Sequence, residues 1–428
     1  MTTEAQTKAA NSAASDINVP EEAIPHSKVP ARIHLAAMDL QHRHSDPLCA
    51  YIYDLDSLRN HVKAVVECLP PQCEMFYATK ANPSLPLLRT LVPWVHGLEV
   101  ASGGELRWVR RHFPELPVIF GGPGKLISEL KYAVQSEVEL IHVESLLELE
   151  RLAEVTEKAR KNQKILLRIN LSLPEMATTS LTMGGVPTPF GMDEDTIPQA
   201  LSLLTRASHL ELEGFHFHLM SHQLDPDRHL ALMRTYMRRV SQWESDYGLR
   251  IGQINVGGGI GINYIEPEQQ FNWPYFCREL AGLLAHEASP EWRIRFECGR
   301  FLTAGCGYYV TEVLDIKHSQ GEAFAICRGG THHFRTPAAQ SHSHPCEVLS
   351  LSVPGVNPSS GLHNQAITLV GQLCTPKDVL ARQVQVPVLR VGDLVLFTYA
   401  GAYAWNISHK DFLMHPSPVE HFLKESLG

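Results

Sequence analysis

The sequence predicts an α/β protein, a (β/α)8 barrel followed by an all-β domain. Short apolar runs alternate with helical patterns from Ala50 to Gly299, which is the length that eight strand–helix units need. After about Phe301 the chain changes to β-rich runs separated by Pro, Gly, Asn and Ser, a pattern typical of an all-β domain. A doubly wound parallel sheet is the structural alternative to the barrel, because it shows the same alternation.

Eight apolar runs are candidates for the barrel strands, and capping signals mark two of the helices between them. Ser145 and Glu148 form a capping box, and Asp225 precedes a proline at the first helical position. The eight runs are Phe76–Thr79, Gly97–Ser102, Val118–Gly122, Leu140–Val143, Ile165–Asn170, Gly214–Leu219, Ile254–Gly257 and Ile294–Glu297.

We expect three regions along the chain. Residues 1–45 are polar and rich in Ala, Ser and Thr, which indicates a flexible segment with one ordered stretch near Ile33–Met38, and part of it joins the β-domain. Residues 46–300 form the barrel, and residues 301–428 form the β-domain with a C-terminal return to the barrel. The β-rich runs are Tyr309–Ile316, Phe324–Cys327, Ala366–Val370, Val384–Leu389 and Leu394–Tyr399.

The composition is that of a globular protein and excludes several classes of partner. Of 428 residues, 44% are hydrophobic and 19% charged, and the formal charge of −9 argues against binding to nucleic acid or an anionic membrane. No apolar run reaches the about 20 residues that a bilayer requires, and no secretory signal is recognisable. Nine scattered cysteines without a Cys-x-x-Cys pair indicate neither a disulfide framework nor a zinc site. We therefore expect a cytoplasmic protein without a metal.

Unusual polar residues fall at the ends of the predicted strands, where a barrel gathers its functional groups. Lys80 ends the first run. A lysine is rarely buried unless it is paired or used chemically, and its amine can form a Schiff base with an aldehyde. The other polar residues at such ends are Glu99, Arg168, His216, His218, Ser221 and Glu297.

A glycine-rich loop, Gly257–Gly259, follows the seventh run and could wrap backbone N–H groups around a phosphate. Arg300 could supply the charge of the same site, although alone the loop is also an ordinary turn and Arg300 a surface ion pair. Together with the aldehyde chemistry of Lys80, a phosphate site indicates pyridoxal 5′-phosphate (PLP). Glu297 is the candidate carboxylate for the pyridine nitrogen, because a nearby negative charge raises the pKa of that nitrogen and strengthens the ring as an electron sink.

The same motifs resemble those of the fold-type III PLP-dependent decarboxylases, which include diaminopimelate and ornithine decarboxylases. They follow the family order from residue 76 to residue 403. They are Phe76–Asn82, Gly97–Leu106, Gly214–His218 with Ser221, Gly257–Gly259, Glu297–Arg300, Gly371–Cys374 and Gly401–Tyr403. The resemblance implies a barrel plus a β-domain, a homodimer, and active sites shared across its interface.

The resemblance also implies roles for individual residues. Lys80 would form the Schiff base, His218 would stack on the cofactor ring, and Glu297 would bind the pyridine nitrogen. Cys374 would reach in from the partner subunit and protonate the carbanion left after CO2 departs. The other expected cofactor contacts are Glu99, Arg168, Ser221, Gly258, Gly259, Gly299, Arg300 and Tyr403.

Three positions depart from the family pattern. Met220 stands where the family usually has glycine and Cys298 where it usually has proline, both close to the expected phosphate site. Cys374 is followed by Thr375, whereas diaminopimelate decarboxylases have glutamate there and ornithine decarboxylases aspartate, to engage the distal end of the substrate. Thr375 cannot pair with a distal ammonium group.

Other segments resemble a secondary-metabolism branch that decarboxylates amino acids acylated elsewhere, such as carrier-bound glutamate and citryl-diaminopropionate. We expect His333 and Arg335 to suit a carboxylate-rich distal group, although a solvated polar loop is an equal alternative, and Asp378 retains a carboxylate nearby. The expected function is thus a PLP-dependent carboxy-lyase acting on a citryl-diaminopropionate-like substrate in siderophore biosynthesis. The segments are Met183–Pro187, Phe190–Asp193 and Cys374–Asp378.

Three other functions remain open. Diaminopimelate decarboxylase of lysine biosynthesis is the first. An amino-acid racemase is the second, although racemases of this fold use a tyrosine opposite the lysine and usually an arginine at the pyridine nitrogen. A non-catalytic PLP-binding carrier is the third, although the carriers that resemble this fold consist of the barrel alone.

Overall fold

A computed structural model describes residues 29–172, 187–350 and 361–424. The segment Met183–Val186, used above as part of a branch motif, lies outside the described residues. In chain order the strands are β1 Cys49–Asp54, β2 Cys73–Ala78, β3 Gly97–Val100, β4 Val118–Phe120, β5 Leu140–Val143, β6 Gln163–Asn170, β7 Met192–Asp193, β8 Leu210–His216, β9 Gln253–Asn255, β10 Arg293–Cys298, β11 Gly307–Ser319, β12 Glu322–Cys327, β13 Cys346–Leu349, β14 Leu362–Val370, β15 Val379–Leu389, β16 Leu394–Phe397 and β17 Val419–Leu423.

Two of the helices in the described residues begin at the predicted capping signals. Ser145 accepts a hydrogen bond from the backbone of Glu148, and Asp225 caps the longest helix. In chain order they are α1 Ala31–Arg43, α2 Leu55–Glu67, α3 Leu85–Leu91, α4 Gly103–His112, α5 Ile127–Gln135, α6 Leu146–Ala159, α7 Ile197–Leu204, α8 Pro226–Tyr247, α9 Trp273–Glu287, α10 Arg300–Thr303 and α11 Thr336–Gln340. No helix in these described ranges is long and apolar enough to cross a bilayer.

The eight predicted runs form a closed parallel barrel, which confirms the (β/α)8 prediction. The strands follow the order β5-β4-β3-β2-β10-β9-β8-β6, and a further pairing between β5 and β6 closes the ring. This closure distinguishes the barrel from the doubly wound alternative, whose sheet has two open edges. Strands β2, β3, β4 and β5 are buried almost throughout, as expected for a parallel sheet covered by helices.

Strand register sets the spacing of the functional side chains. Ala78 of β2 lies opposite Glu99 of β3, so the lysine two residues after Ala78 leaves the barrel beside that carboxylate. Arg168, His216 and Asn255 are register partners on the neighbouring strands β6, β8 and β9. Because parallel strands end at the same face of a barrel, these polar residues converge on one cavity.

The β-domain combines strands from both ends of the chain. Its main sheet has the order β13-β16-β11-β12-β14-β15, and β1 pairs antiparallel with β11 and parallel with β17. The five predicted β-rich runs correspond to β11, β12, β14, β15 and β16, whereas β1, β13 and β17 were not among them. The expected ordered stretch Ile33–Met38 lies within α1, which covers a separate apolar cluster containing Ile33, Ile52 and Leu396.

At the junction between the barrel and the β-domain, the segment that leads into β11 packs backbone against backbone on the residues that follow β16. Ala400 donates its N–H to the carbonyl of Gly307 (2.8 Å), and Gly401 donates to that of Ala304 (3.0 Å). A Cβ atom on Gly401 would lie 1.9 Å from the carbonyl oxygen of Thr303. The junction therefore requires glycine at position 401.

We expect Gly401→Ala to destabilise the protein by about 1–3 kcal/mol or more, because the added methyl group overlaps backbone atoms that cannot rotate away. Urea denaturation followed by circular dichroism measures the change. The matched control is Gly282→Ala, an exposed site in α9 where a Cβ meets nothing within 4 Å, and it should be neutral or stabilising by up to about 1 kcal/mol. Equal denaturation midpoints for the two variants would contradict the close packing of the junction.

Candidate active site

The C-terminal ends of the barrel strands surround a cavity of about 480 Å³. Most of the residues predicted to bind a cofactor are brought together there, from seven different strand ends or the loops that follow them. Gly258 is the remaining one, and it lies in the loop beside this lining and donates its N–H to Nδ1 of His218 at 3.2 Å. The lining residues among them are Lys80, Glu99, Arg168, His218, Ser221, Gly259, Glu297, Gly299, Arg300 and Tyr403.

Lys80 is held at the cavity by an ion pair. Its Nζ atom lies 2.7 Å from Oε2 of Glu99, which is almost fully buried. Burial alone would lower the pKa of Lys80, but the charges of Glu99, Tyr403 and Glu297 outweigh it and raise the pKa above its usual value. The ammonium form is therefore the stable one in this arrangement, and Glu99 is the group placed to accept its proton.

Glu297 is a buried carboxyl group at the end of β10. Nδ2 of Asn255 donates to its Oε1 atom at 2.9 Å. Burial, followed by the negative charge of Glu99, raises the pKa of Glu297 above its usual value. A buried acid whose pKa is raised in this way readily shares a proton with a nearby basic nitrogen.

Two histidines beside Glu297 were not predicted as cofactor contacts. His142 and His216 stack at a centroid distance of 4.0 Å, and their Nε2 atoms lie 3.6 Å and 3.7 Å from the carboxylate oxygens of Glu297. The sequence marks His216 only as a polar residue at a strand end. His142 carries a similar signal, because it is a polar residue within the fourth apolar run, but it was not among the predicted site residues.

The same three groups could also ligate a metal, because their ligand atoms lie within 4.8 Å of one another. Nδ2 of Asn255 faces two of these ligand atoms, at 2.9 Å from Oε1 of Glu297 and 3.4 Å from Nε2 of His142. An N–H donor thus already occupies the space between them. Burial and then nearby cations hold the pKa of His142 well below its usual value, so its ring is neutral.

The glycine loop after β9 is built for close backbone approach. Gly257 and Gly259 have φ angles of 67° and 87°, the left-handed region that favours glycine. A Cβ on Gly257 would lie 2.4 Å from Nδ1 of His218, and one on Gly259 would lie 2.3 Å from the carbonyl oxygen of Met220. The N–H of Gly257 donates to Oδ1 of Asn255 at 2.9 Å and that of Gly258 to Nδ1 of His218. Gly259, which lines the cavity, is therefore the residue of this loop that is best placed to face an anion.

Arg300 follows β10 and stands among aromatic rings. Its Nη1 atom donates to the hydroxyl of Tyr264 at 2.8 Å, and its guanidinium carbon lies 4.6 Å from the ring centroid of Tyr403. Tyr403 has a φ angle of 49° and donates its N–H to the carbonyl of Ala81 at 2.8 Å. The chain thus brings a β-domain tyrosine to the same end of the cavity as the barrel arginine.

The two departures from the family pattern near this end are accommodated by packing. Met220 is half-buried, and its backbone carbonyl faces Gly259. Cys298 is buried, and burial raises the pKa of its thiol to about 12. Cys298 therefore acts as a small apolar residue, and neither residue fills the cavity lining.

Arg168 depends on a buried acidic network that the sequence analysis did not identify. Nη1 of Arg168 donates to Glu144 at 2.9 Å, and the same carboxylate accepts the N–H groups of Gly122 (2.9 Å) and Gly191 (3.2 Å). Behind it, Glu148 accepts from the buried Lys125 at 2.6 Å. The sequence gives little indication of this network, because acidic residues such as Glu144 and Glu148 are common at the start of a helix.

The four residues predicted for protonation or substrate contact do not line the cavity of their own chain. Cys374 and Arg335 are exposed, and His333 is buried, with Nδ1 3.3 Å from the thiol of Cys49. The structure places Asp378 differently from the expected substrate contact: it is buried, and its carboxylate accepts from N and Oγ1 of Thr331 and from the N–H of Leu373. Its hydrogen-bonding capacity is thus used within its own domain.

The cavity residues fit PLP on three observations. Lys80 offers an amine at the cavity surface, Gly257–Gly259 form a loop free of side chains beside Arg300, and Glu297 is a buried carboxyl group held by Asn255. These are the three groups that PLP requires: an amine for its aldehyde, an anion site for its phosphate, and an acid for its pyridine nitrogen.

Comparison with known proteins identifies the family. Residues 55–304 match the family described as pyridoxal-dependent decarboxylase, pyridoxal binding domain. The chain is 43% identical over 386 residues to a Staphylococcus aureus 2-[(L-alanin-3-ylcarbamoyl)methyl]-2-hydroxybutanedioate decarboxylase, covering 89% of this chain and 96% of that protein. It is 33% identical to the L-glutamyl-[BtrI acyl-carrier protein] decarboxylase of Niallia circulans, covering 86% and 87% of the two chains.

Solved structures show the same fold at lower identity. The crystal structure of Helicobacter pylori diaminopimelate decarboxylase, complexed with L-lysine, has a TM-score of 0.78 at 23% identity and covers 90% of this chain and 94% of that one. At this identity the likeness establishes the fold alone. From the family match, the relatives and the cavity, the chain belongs to the pyridoxal-dependent decarboxylases, enzymes that use PLP as cofactor.

Proposed function

We propose that this decarboxylase removes the α-carboxylate of a citryl-diaminopropionate-like amino acid during siderophore biosynthesis. The main support for this proposal is the similarity to the Staphylococcus aureus relative, which covers 89% of this chain. The name of that relative describes an α-amino acid joined through an amide to a citrate residue, which carries two further carboxylates. The substrate class is thus an amino acid with an acidic conjugated end.

The immediate surroundings of Cys374 support an acidic rather than a basic distal group. The next residue is Thr375, which carries no charge. Asp378 is the nearest carboxylate, but Thr331 and Leu373 already donate to it. A distal ammonium group would therefore find no free carboxylate in this segment, whereas the exposed guanidinium of Arg335 suits an acid.

We infer that Lys80, Glu99 and Glu297 carry the chemistry at the cofactor. PLP, when bound, withdraws electrons from the substrate bond that breaks. Glu99 is 2.7 Å from Nζ of Lys80, so it can take the ammonium proton when a free amine is needed. Glu297, oriented by Asn255, would hold a proton at the ring-nitrogen end. Arg300 and the loop Gly257–Gly259 would bind the phosphate, with Gly259 as the loop residue that lines the cavity.

We infer further that the enzyme is a cytoplasmic homodimer whose active sites are shared. Cys374 and Arg335 are exposed and lie outside the cavity of their own chain, so a second copy is the source from which these two groups would reach it, whereas His333 is buried within its own chain. All nine cysteines are unpaired, which is the usual state in a reducing compartment.

The substrate assignment predicts selective decarboxylation of the conjugate. The PLP-loaded protein should release CO2 from synthetic citryl-diaminopropionate far faster than from free meso-diaminopimelate, followed by mass spectrometry. Lys80→Ala should abolish turnover, because it removes the amine that anchors the cofactor. Turnover of diaminopimelate to lysine instead would contradict the substrate proposal but leave the decarboxylase family untouched, and chiral analysis of recovered substrate tests racemisation.

The shared-site proposal predicts complementation between inactive variants. Lys80→Ala and Cys374→Ala should each lose activity, the second by slowed or misdirected protonation. Mixing the two should restore up to about a quarter of wild-type activity, because half of the dimers then hold one intact site. Cys346→Ala, a half-buried cysteine on β13, is the control partner and should keep its own activity. No recovery in a mixture shown to exchange subunits would contradict shared sites.

A further inference from the structure

Two residues at the Arg300 end of the cavity have no role in the proposal so far. His222 follows Ser221 in the loop after β8, and Gln340 is the last residue of α11 in the β-domain. Both line the cavity, and Nε2 of Gln340 lies 2.9 Å from Nε2 of His222. The pair is therefore a contact between the two domains at the wall of the cofactor site.

The backbone holds His222 in an uncommon conformation. Its φ angle is 56°, in the left-handed region that a residue with a side chain rarely adopts. The surrounding loops enforce it, because Gln223 donates to the carbonyl of Gly259 (2.8 Å), and Gly261 donates to that of Gln223 (2.9 Å). Non-glycine residues in this region cluster at functional sites, where surrounding structure maintains the strain.

The position of α11 is fixed from its other end. Oγ1 of Thr336, the first residue of the helix, donates to the carbonyl of Tyr403 at 2.7 Å. Tyr403 in turn packs on Arg300. The short helix thus spans from the tyrosine to His222, and its last residue reaches the cavity wall beside the arginine.

The tautomer of His222 follows from its surroundings. Burial, followed by the charge of Arg300, lowers the pKa of His222 to about 4, so the ring is neutral near pH 7. Its Nε2 atom accepts from the amide of Gln340, which leaves the proton on Nδ1. Each residue then retains one N–H donor beyond the pair, and both residues line the same cavity as Ser221 and Arg300, which are expected to bind the phosphate.

We propose that His222 and Gln340 are additional phosphate-binding residues, through which the β-domain takes part in holding the cofactor. This inference rests on the proposed placement of the phosphate beside Arg300. An anion there would accept hydrogen bonds from barrel and β-domain together. Its binding would therefore strengthen the contact between the loop after β8 and α11.

The test compares PLP with pyridoxal, which lacks the phosphate, by fluorescence titration of the cofactor-free protein. Gln340→Leu should weaken PLP binding about 3- to 10-fold, the loss expected for one or two hydrogen bonds, and leave pyridoxal binding unchanged. His222→Asn, which tolerates the left-handed backbone, should act alike, and the double variant should lose little more, because the pair acts as a unit. Gln340→Glu should lose more, since it sets a negative charge against the phosphate.

The matched control is Gln242→Leu, which replaces an exposed glutamine of α8 whose side chain donates to Asp246 on its own helix. This variant should bind both compounds as the wild type does. Gln340→Asn, which shortens the reach by one methylene, replaces Gln340→Leu if the latter folds poorly. An unchanged ratio of PLP to pyridoxal affinity in Gln340→Glu and His222→Asn would overturn the inference. If Arg300→Met also leaves the ratio unchanged, the phosphate does not bind at this end, and the placement under the proposed function fails instead.

Discussion

The ion pair between Lys80 and Glu99 is the interaction on which the rest of the site depends. Glu99 is almost fully buried, and a buried carboxylate is tolerated only when it is paired or hydrogen-bonded. Lys80 supplies the counter-charge from the neighbouring strand, where Ala78 stands in register with Glu99. A slip of one residue between β2 and β3 would turn Glu99 to the other face of the barrel. Closure of the barrel fixes this register. The charge state of the lysine therefore depends on the pairing of two short strands.

Much of the fold and of the site could be predicted because the signals are local. Each barrel strand is a buried apolar run between helices, and Lys80 and Glu297 are each a charged residue at the end of such a run. In a parallel barrel, position at a strand end already implies position at the cavity. The cap that Ser145 forms on Glu148 was predictable for the same reason, since both residues lie within one helical turn. The second bond of the predicted capping box differs, because the carboxylate of Glu148 accepts from the N–H of Glu144 and not from that of Ser145.

What the sequence could not show depends on contacts between distant segments. The pairing of β1 with β17 joins residues near opposite ends of the chain, and the sequence of neither strand indicates which strand it pairs with. Glu144 reads as an ordinary helix-start acid, although it gathers Arg168 and two backbone N–H groups. Asp378 reads as an available carboxylate beside the expected catalytic cysteine, although Thr331, brought close only by the fold, already donates to it. The sequence shows which hydrogen-bonding groups are present, but only the fold shows which of them are already hydrogen-bonded within the protein.

The β-domain also fixes the loop that carries the reactive lysine. Asn406 donates to the carbonyl of Lys80 (2.7 Å), Tyr403 donates to that of Ala81 (2.8 Å), and Asn82 donates to that of Gly401 (2.9 Å). These bonds span more than three hundred residues of chain, so they form only when both domains are assembled. A barrel without its partner domain would lose these backbone bonds, and of the contacts described here only the ion pair with Glu99 would still hold the lysine. The position of the amine is therefore a property of the domain interface as much as of the barrel, which explains in physical terms why the second domain belongs to the active site.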